Sequence, residues 1–294
     1  MQSFDYQKVH SLQEALDVAS SREGSVFLAG GTDLLVQIKQ GKRVPHHVID
    51  VKGIHEMDGL AISENACSIG ALTTIRALEI VPSVAEMVPL LAQAAAKLGS
   101  VQVRHRATVG GNLCNASPSA DMAPALLALD AQAITFGKKG QRNVELSDFF
   151  LRPGETVLNN NQLLTGLEVQ LPRGRCGSVY YKVSTRNAMD LAFVGVAVLI
   201  EVDETDRIVK ARIALGAVAP TPMRVPTAEK RLEGVVLDTE AARECAELAV
   251  RSCDPISDVR ATAEYRREMV RALCEKGLLF AYGQAKSFTQ ERKE

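Results

Sequence analysis

The sequence predicts an α+β protein of two domains. The first, residues 1–173, divides into a small α/β unit (1–55) and a mixed α+β unit (56–173). The second, 178–290, is smaller, with a three-stranded sheet followed by helices. Three observations carry this. The first fifty residues hold two strand candidates joined by a helical crossover, which implies parallel pairing. From Ala66 to Leu171 short strands and helices alternate. Beyond the polar, turn-rich segment Pro172 to Gly177, three β-branched runs precede three stretches of helical periodicity.

Taken in order, Ser11 to Ser20 opens with a capping box, Ser11 followed three residues later by Glu14. Leu12, Ala15, Leu16 and Ala19 share its apolar face. Ser25 to Ala29 reads as a strand, Asp33 to Gln40 as a helix stopped by Gly41, and Val48 to Val51 as the next strand. His46 and His47 after Pro45 read as an exposed loop. Cys67 to Gly70 is strand-like, and Thr74 to Ile80 and Ser83 to Lys97 read as two helices. A helix around Pro124 to Leu129, a strand at Ala133 to Phe136, a turn at Gly137 to Gly140 and a strand at Leu163 to Leu171 complete the first domain. In the second, strands are expected at Ser178 to Val183, Leu191 to Val202 and Ile208 to Val218. Helices are expected at Thr227 to Leu232, Thr239 to Cys253 and Val259 to Leu279.

The 294 residues carry 46% hydrophobic and 23% charged side chains and a formal net charge of −1. This is a globular composition with no basic stretch, so no nucleic-acid partner is expected. The polar amino terminus and the short apolar runs argue against a signal peptide or membrane span, and a cytoplasmic location is expected. Six cysteines at 67, 114, 176, 245, 253 and 274 show no C-x-x-C spacing, so neither a disulfide framework nor an iron–sulfur cluster is indicated. Most should be small buried residues. Cys114 stands apart because it falls beside a candidate site.

That site rests on two glycine pairs, in AGGTDLL (Ala29 to Leu35) and TVGGNLCNASPSADMAPALLALDA (Thr108 to Ala131). Each follows an apolar run and precedes a helical one. Adjacent glycines let the main chain lie against a ligand with its N–H groups aimed inward, and a following helix adds attraction for an anion. Either pair alone reads as an ordinary strand-to-helix turn, and only the two together, with the polar residues around them, point to a ligand. The chain has no G-x-G-x-x-G after a strand, no P-loop, no H-E-x-x-H and no G-x-S-x-G. What remains, anion-binding turns with a carboxylate and small polar side chains but no nucleophile, suits a redox cofactor that carries its own chemistry. From the residues alone Asp121 is equally a helix N-cap, Lys182 a surface charge, and Ile69 and Leu191 core residues.

These segments resemble the FAD-binding subunits of the molybdenum hydroxylases. IGALTT (Ile69 to Thr74), VRHRATVGGN, YYKVSTRNAMDLAFVGVAV (Tyr180 to Val198) and GAVAPTPMR (Gly216 to Arg224) join the two glycine motifs in that likeness, which covers nearly the whole chain. The resemblance implies a PCMH-type FAD-binding domain, with FAD between the domains and its pyrophosphate on both glycine turns. Ala29, Gly30, Gly31, Thr32 and Asp33 would form the first loop, and Thr108, Gly110, Gly111 and Asn112 the second. Asp121 would bind a ribose hydroxyl, Ile69 would lie against the adenine, and Leu164 would meet the ring system through its main chain. Lys182 and Leu191 would approach the flavin from the second domain. Thr32 stands where covalent relatives carry a flavin-linking histidine, so non-covalent FAD is implied. The cysteine-bearing insertion of the 4-hydroxybenzoyl-CoA reductases is missing, so no metal is expected in this chain.

The implied function is electron transfer: FAD takes electrons from [2Fe–2S] clusters on a small partner subunit, supplied by a large molybdopterin-binding subunit, and passes them to NAD⁺ or another acceptor. No catalytic acid or base is expected here. The alternative is a free-standing flavin-dependent oxidoreductase with its own small substrate.

Overall fold

The computed structural model describes residues 3–172, 174–186 and 188–287; the expected domain limits at 1, 173 and 290 lie outside them. The chain opens with β1 (Asp5–Lys8), α1 (Leu12–Ser21), β2 (Ser25–Leu28), α2 (Leu34–Lys39) and β3 (His47–Asp50). Its strands pair in parallel in the order β1-β3-β2. Ser11 caps α1 by accepting from the N–H of Glu14 at 3.2 Å, and the Glu14 carboxylate reaches back to the N–H of His10 at 2.8 Å. The strand β1 carries a polar pattern that gave no sequence signal. His47 corrects the expected exposed histidine pair: it pairs in β3, central in this sheet, and is 6% exposed, whereas His46 is exposed.

The second unit contains β4 (Leu60–Ile62), β5 (Ala66–Gly70), α3 (Ile75–Ile80), α4 (Pro82–Met87), α5 (Pro89–Lys97), α6 (Val101–Arg104), α7 (Val109–Cys114) and α8 (Met122–Ala128). It continues through β6 (Gln132–Gly137), β7 (Gly140–Glu145), β8 (Phe150–Arg152), β9 (Glu155–Thr156) and β10 (Gln162–Gln170). Its main sheet is antiparallel, in the order β4-β5-β10-β6-β7. The single helix expected over Ser83 to Lys97 is two. Pro89 has no N–H and its ring forces Val88 out of the helical region, to φ −136 and ψ 55.

The second domain packs β11 (Arg175–Val183), β12 (Val194–Val202), β13 (Ile208–Gly216) and β14 (Met223–Arg224) into an antiparallel sheet, followed by α9 (Pro226–Leu232), α10 (Thr239–Ser252) and α11 (Ala263–Ser287). The sheet thus has the three expected strands and a two-residue fourth, too short for a pattern to show. Strand β11 begins at Arg175, inside the polar, turn-rich segment Pro172 to Gly177. Helix α11 starts four residues later than expected. The Asp258 carboxylate accepts from the N–H groups of Arg260 and Ala261, holding that stretch in a turn, and Thr262 then caps the helix by accepting from Tyr265.

Every residue of β12 is buried. Ala197 and Leu199 join the core of the first domain, while Val194, Val196, Val198, Ile200 and Val202 join that of the second. On the first side lies α8, all seven of whose residues are buried. A continuous apolar run is what a strand covered on both faces requires. The two domains therefore meet across a packed seam. Four of the cysteines (67, 245, 253, 274) are buried and Cys176 is half-buried, while Cys114 is exposed.

Candidate functional site

A cleft of about 650 Å³ opens where the three parts of the chain meet. Of the fourteen residues expected at the site, twelve line it: Ala29, Gly30, Gly31, Thr32 and Asp33; Thr108, Gly110, Gly111 and Asn112; and Asp121, Leu164 and Leu191. Ile69 and Lys182 do not. Ile69 alternates inward with Cys67 on β5 and is 1% exposed, so its side chain belongs to the core. Lys182 sits behind Asp121.

The first turn leaves β2 and enters α2. Gly30 lies so close to the segment leading to the second turn that a Cβ there would stand 2.0 Å from the Arg106 carbonyl oxygen, and Gly31 has φ +76. Only glycine fits both positions. Among the described residues the N–H groups of Gly30, Gly31, Thr32 and Asp33 have no protein acceptor. Four consecutive donors without a protein acceptor, in residues that line a cleft, can serve as an anion cradle. The helix that follows has six residues, so the free N–H groups rather than a long helix dipole supply the attraction. Asp33 is exposed on the cleft wall, yet crowding by protein around it raises its carboxyl pKa.

The second turn differs from the expected mirror of the first. Its glycines lie inside the first turn of α7, where Thr108 Oγ1 caps Gly111 N–H at 3.1 Å. Val109 and Gly110 donate to the carbonyls of Thr73 and Ala71 at 3.0 and 2.9 Å. These N–H groups are spent on the fold. The glycines instead allow close packing, since a Cβ on Gly110 would meet Ala71 at 2.7 Å. Asn112 accepts from Met122 N–H at 3.3 Å and so caps α8.

That frees Asp121 from capping. It occupies the N-cap position of α8 but makes no cap bond. Its Oδ1 accepts from Tyr180 Oη at 3.1 Å and its Oδ2 from Lys182 Nζ at 2.8 Å. Lys182 also donates to the Lys97 carbonyl at 3.0 Å. Burial raises the Asp121 pKa against the opposing pull of Lys182 and Tyr180, and burial with the nearby Asp121 pushes the Tyr180 phenol well up. Each carboxylate oxygen keeps a lone pair for a further donor.

Leu164 forms the cleft floor beside a bulge where the β10 and β6 register shifts between Leu164 and Gly166. Leu191, half exposed, reaches the cleft from the β11–β12 connection, which touches the first domain where Met189 donates to the Gly99 carbonyl at 3.1 Å. Sequence reasoning passed over Arg43, Ser117, Ser119 and Met189, which also line the cleft. Ser117 and Ser119 stand between the GGN turn and Asp121, a placement that could have flagged them; Arg43 and Met189 carried no signal.

Two family models cover the chain: the FAD-binding domain of molybdopterin dehydrogenases over residues 2–173, and the carboxy-terminal domain of the carbon monoxide dehydrogenase flavoprotein over residues 179–281. The chain belongs to the FAD-binding medium subunits of the molybdenum hydroxylases. Among curated relatives of this family, the glyceraldehyde dehydrogenase medium chain of Sulfolobus acidocaldarius is 34% identical, over 93% of this chain and 96% of its own length. The xanthine dehydrogenase FAD-binding subunit of Escherichia coli O157:H7 is 30% identical, over 93% and 95%. The solved carbon monoxide dehydrogenase of Hydrogenophaga pseudoflava superposes with a TM-score of 0.93 at 31% identity, covering 96% of this medium subunit and 98% of that chain. Among the described residues of this medium subunit, no helix is long and apolar enough to cross a membrane.

Proposed function

We propose that this chain binds FAD non-covalently in the interdomain cleft and serves as the electron-transfer subunit of a molybdenum-containing dehydrogenase. The observation that carries the proposal is the run of four N–H donors without a protein acceptor at Gly30 to Asp33, in residues that line a cleft also lined by Gly111, Asn112 and Asp121. A diphosphate is the part of FAD such a cradle fits.

In this reading Ala29 to Asp33 hold the pyrophosphate. Thr108, Gly110, Gly111 and Asn112 shape the opposite wall, with the Asn112 side chain as the donor that its glycines no longer supply. Asp121, fixed by Tyr180 and Lys182, accepts from a ribose hydroxyl, and Leu164 and Leu191 contact the ring system. When bound, FAD would supply the exchange between single electrons from [2Fe–2S] clusters of a small partner subunit, fed by a large molybdopterin-binding subunit, and electron pairs for NAD⁺ or another acceptor. The chain's residues bind, orient and shield the cofactor; no acid or base is required of them.

The variant Gly111→Asp tests this in the purified complex. It sets a carboxylate into the cleft, and the expected result is loss of flavin with iron–sulfur absorption retained and substrate-driven reduction of the acceptor abolished. Unchanged flavin content overturns the site. Turnover of an organic substrate by the single chain overturns the function.

A further inference from the structure

Lys52 lies outside the cleft and outside every motif considered above, yet it touches the first glycine turn. Its Nζ donates to the Ala29 carbonyl oxygen at 3.2 Å and to Asp50 Oδ1 at 2.7 Å. The same Asp50 oxygen accepts the Lys52 N–H at 3.0 Å, and the other oxygen accepts the Tyr6 hydroxyl. The Asp50 side chain is only 5% exposed and that of Lys52 32%. The ammonium is therefore held from below by a carboxylate that is itself fixed by β1 and by the end of β3.

The consequence follows from peptide geometry. Ala29 C=O and Gly30 N–H belong to one planar trans unit and point in opposite directions. Holding the carbonyl toward Lys52 turns the Gly30 N–H away from Lys52 and from the sheet behind it. That N–H is the first of the four donors without a protein acceptor. Released from Lys52, the peptide plane is free to rotate, because Gly30 tolerates a wide range of φ. Packing of Gly30 against Arg106 restrains its Cα but leaves the carbonyl of the preceding unit without another hydrogen-bond partner among the described residues.

We infer that Lys52 is a positioning residue for the diphosphate of FAD: through the Ala29 carbonyl it sets the orientation of the first glycine turn, with Asp50 and Tyr6 as its support. This rests on the reading of the first turn as the pyrophosphate cradle.

The test compares Lys52→Met, Lys52→Gln and Lys52→Arg in the deflavinated full complex, measuring dissociation constants for FAD and for riboflavin, which lacks the diphosphate, together with the melting temperature of each apoprotein. The expected result is an FAD affinity about tenfold weaker in the Met variant, the loss of one charge-assisted bond's worth of preorganisation. The Arg variant should recover most of it, and riboflavin affinity and apoprotein melting should stay at the parental values. FAD affinity in the Met variant within about twofold of the parent overturns the inference, as does an equal loss for riboflavin, which marks a general structural defect. Where the Met variant does not fold, the Gln variant decides, since parental FAD affinity in it overturns the inference equally. Gly31→Asp separates the two levels. If it abolishes FAD binding while the Lys52 variants bind normally, the cradle stands and the role of Lys52 fails. If it leaves FAD bound, the cradle itself fails.

Discussion

Lys182 Nζ lies 2.8 Å from Asp121 Oδ2, with the two side chains 6% and 8% exposed. The pair links β11 of the second domain to the start of α8 in the first, at the cleft wall. A buried ion pair adds little net stability over an apolar one, but it fixes geometry, and breaking it leaves an uncompensated charge. The pair thus ties the relative placement of the domains to the residue proposed to meet the ribose.

Lys182→Met should destabilise the protein by about 3–5 kcal/mol, because the Asp121 carboxylate is left buried with only Tyr180 as donor. Denaturant unfolding measures this. Combining it with Asp121→Leu should recover part of the stability while FAD affinity stays low. Additive losses in the double variant would show that the two side chains do not act as a pair.

Gly30→Ala should lower stability by about 1–3 kcal/mol and reduce bound flavin, since the new Cβ would meet the Arg106 carbonyl at 2.0 Å. Flavin released on denaturation, counted per chain, reads the second effect. Full flavin occupancy would mean that the two segments can separate without disturbing the cradle.

Asp130 accepts from Arg212 at 2.9 Å, from Lys210 at 3.0 Å and from Arg224, all three on the second domain. Asp130→Asn leaves these three cations crowded on the second domain's side of the seam, with Glu201 and Glu229 as remaining counter-charges. A loss of about 2 kcal/mol is expected, smaller at high salt. An effect insensitive to salt would point to packing instead.

Burial alone would raise the Asp258 pKa, but the N–H groups of Arg260 and Ala261 and the Arg266 guanidinium outweigh it and bring it to about 2. A carboxyl whose pKa is lowered by folding contributes stability above its unfolded value and loses it as pH falls through the folded one. Asp258→Asn should therefore cost about 1 kcal/mol near neutral pH, allowing for solvent screening. The gap between variant and parent should close between about pH 4 and pH 2. Melting curves over that range check it, and a gap that widens on acidification would contradict the assignment.

Long patterned segments were legible from sequence. The capping box of α1, the parallel crossover around the first glycine turn and the apolar run of β12 each follow from local chemistry that tertiary contacts reinforce. Short strands were not: β1 is polar and owes its pairing to β3, beyond α1 and β2, while β4 and β14, paired with their sequence neighbours β5 and β13, are too short for a pattern to show. His47 looked like a loop residue because its burial comes from lying between two parallel neighbours. At the site, the glycine turns could be found but not told apart. Whether their N–H groups are free depends on the carbonyls of Ala71 and Thr73, which the motif does not contain. Lys52 was invisible for the same reason, since its role depends on which carbonyl its ammonium reaches.

The most direct test of the account is the visible absorption spectrum of the native protein, gently purified by a tag on this chain. Flavin bands over a broad iron–sulfur background, with two further subunits co-purifying, are the predicted result. A colourless protein, or a solitary flavin-bearing chain that oxidises an organic substrate unaided, would contradict it.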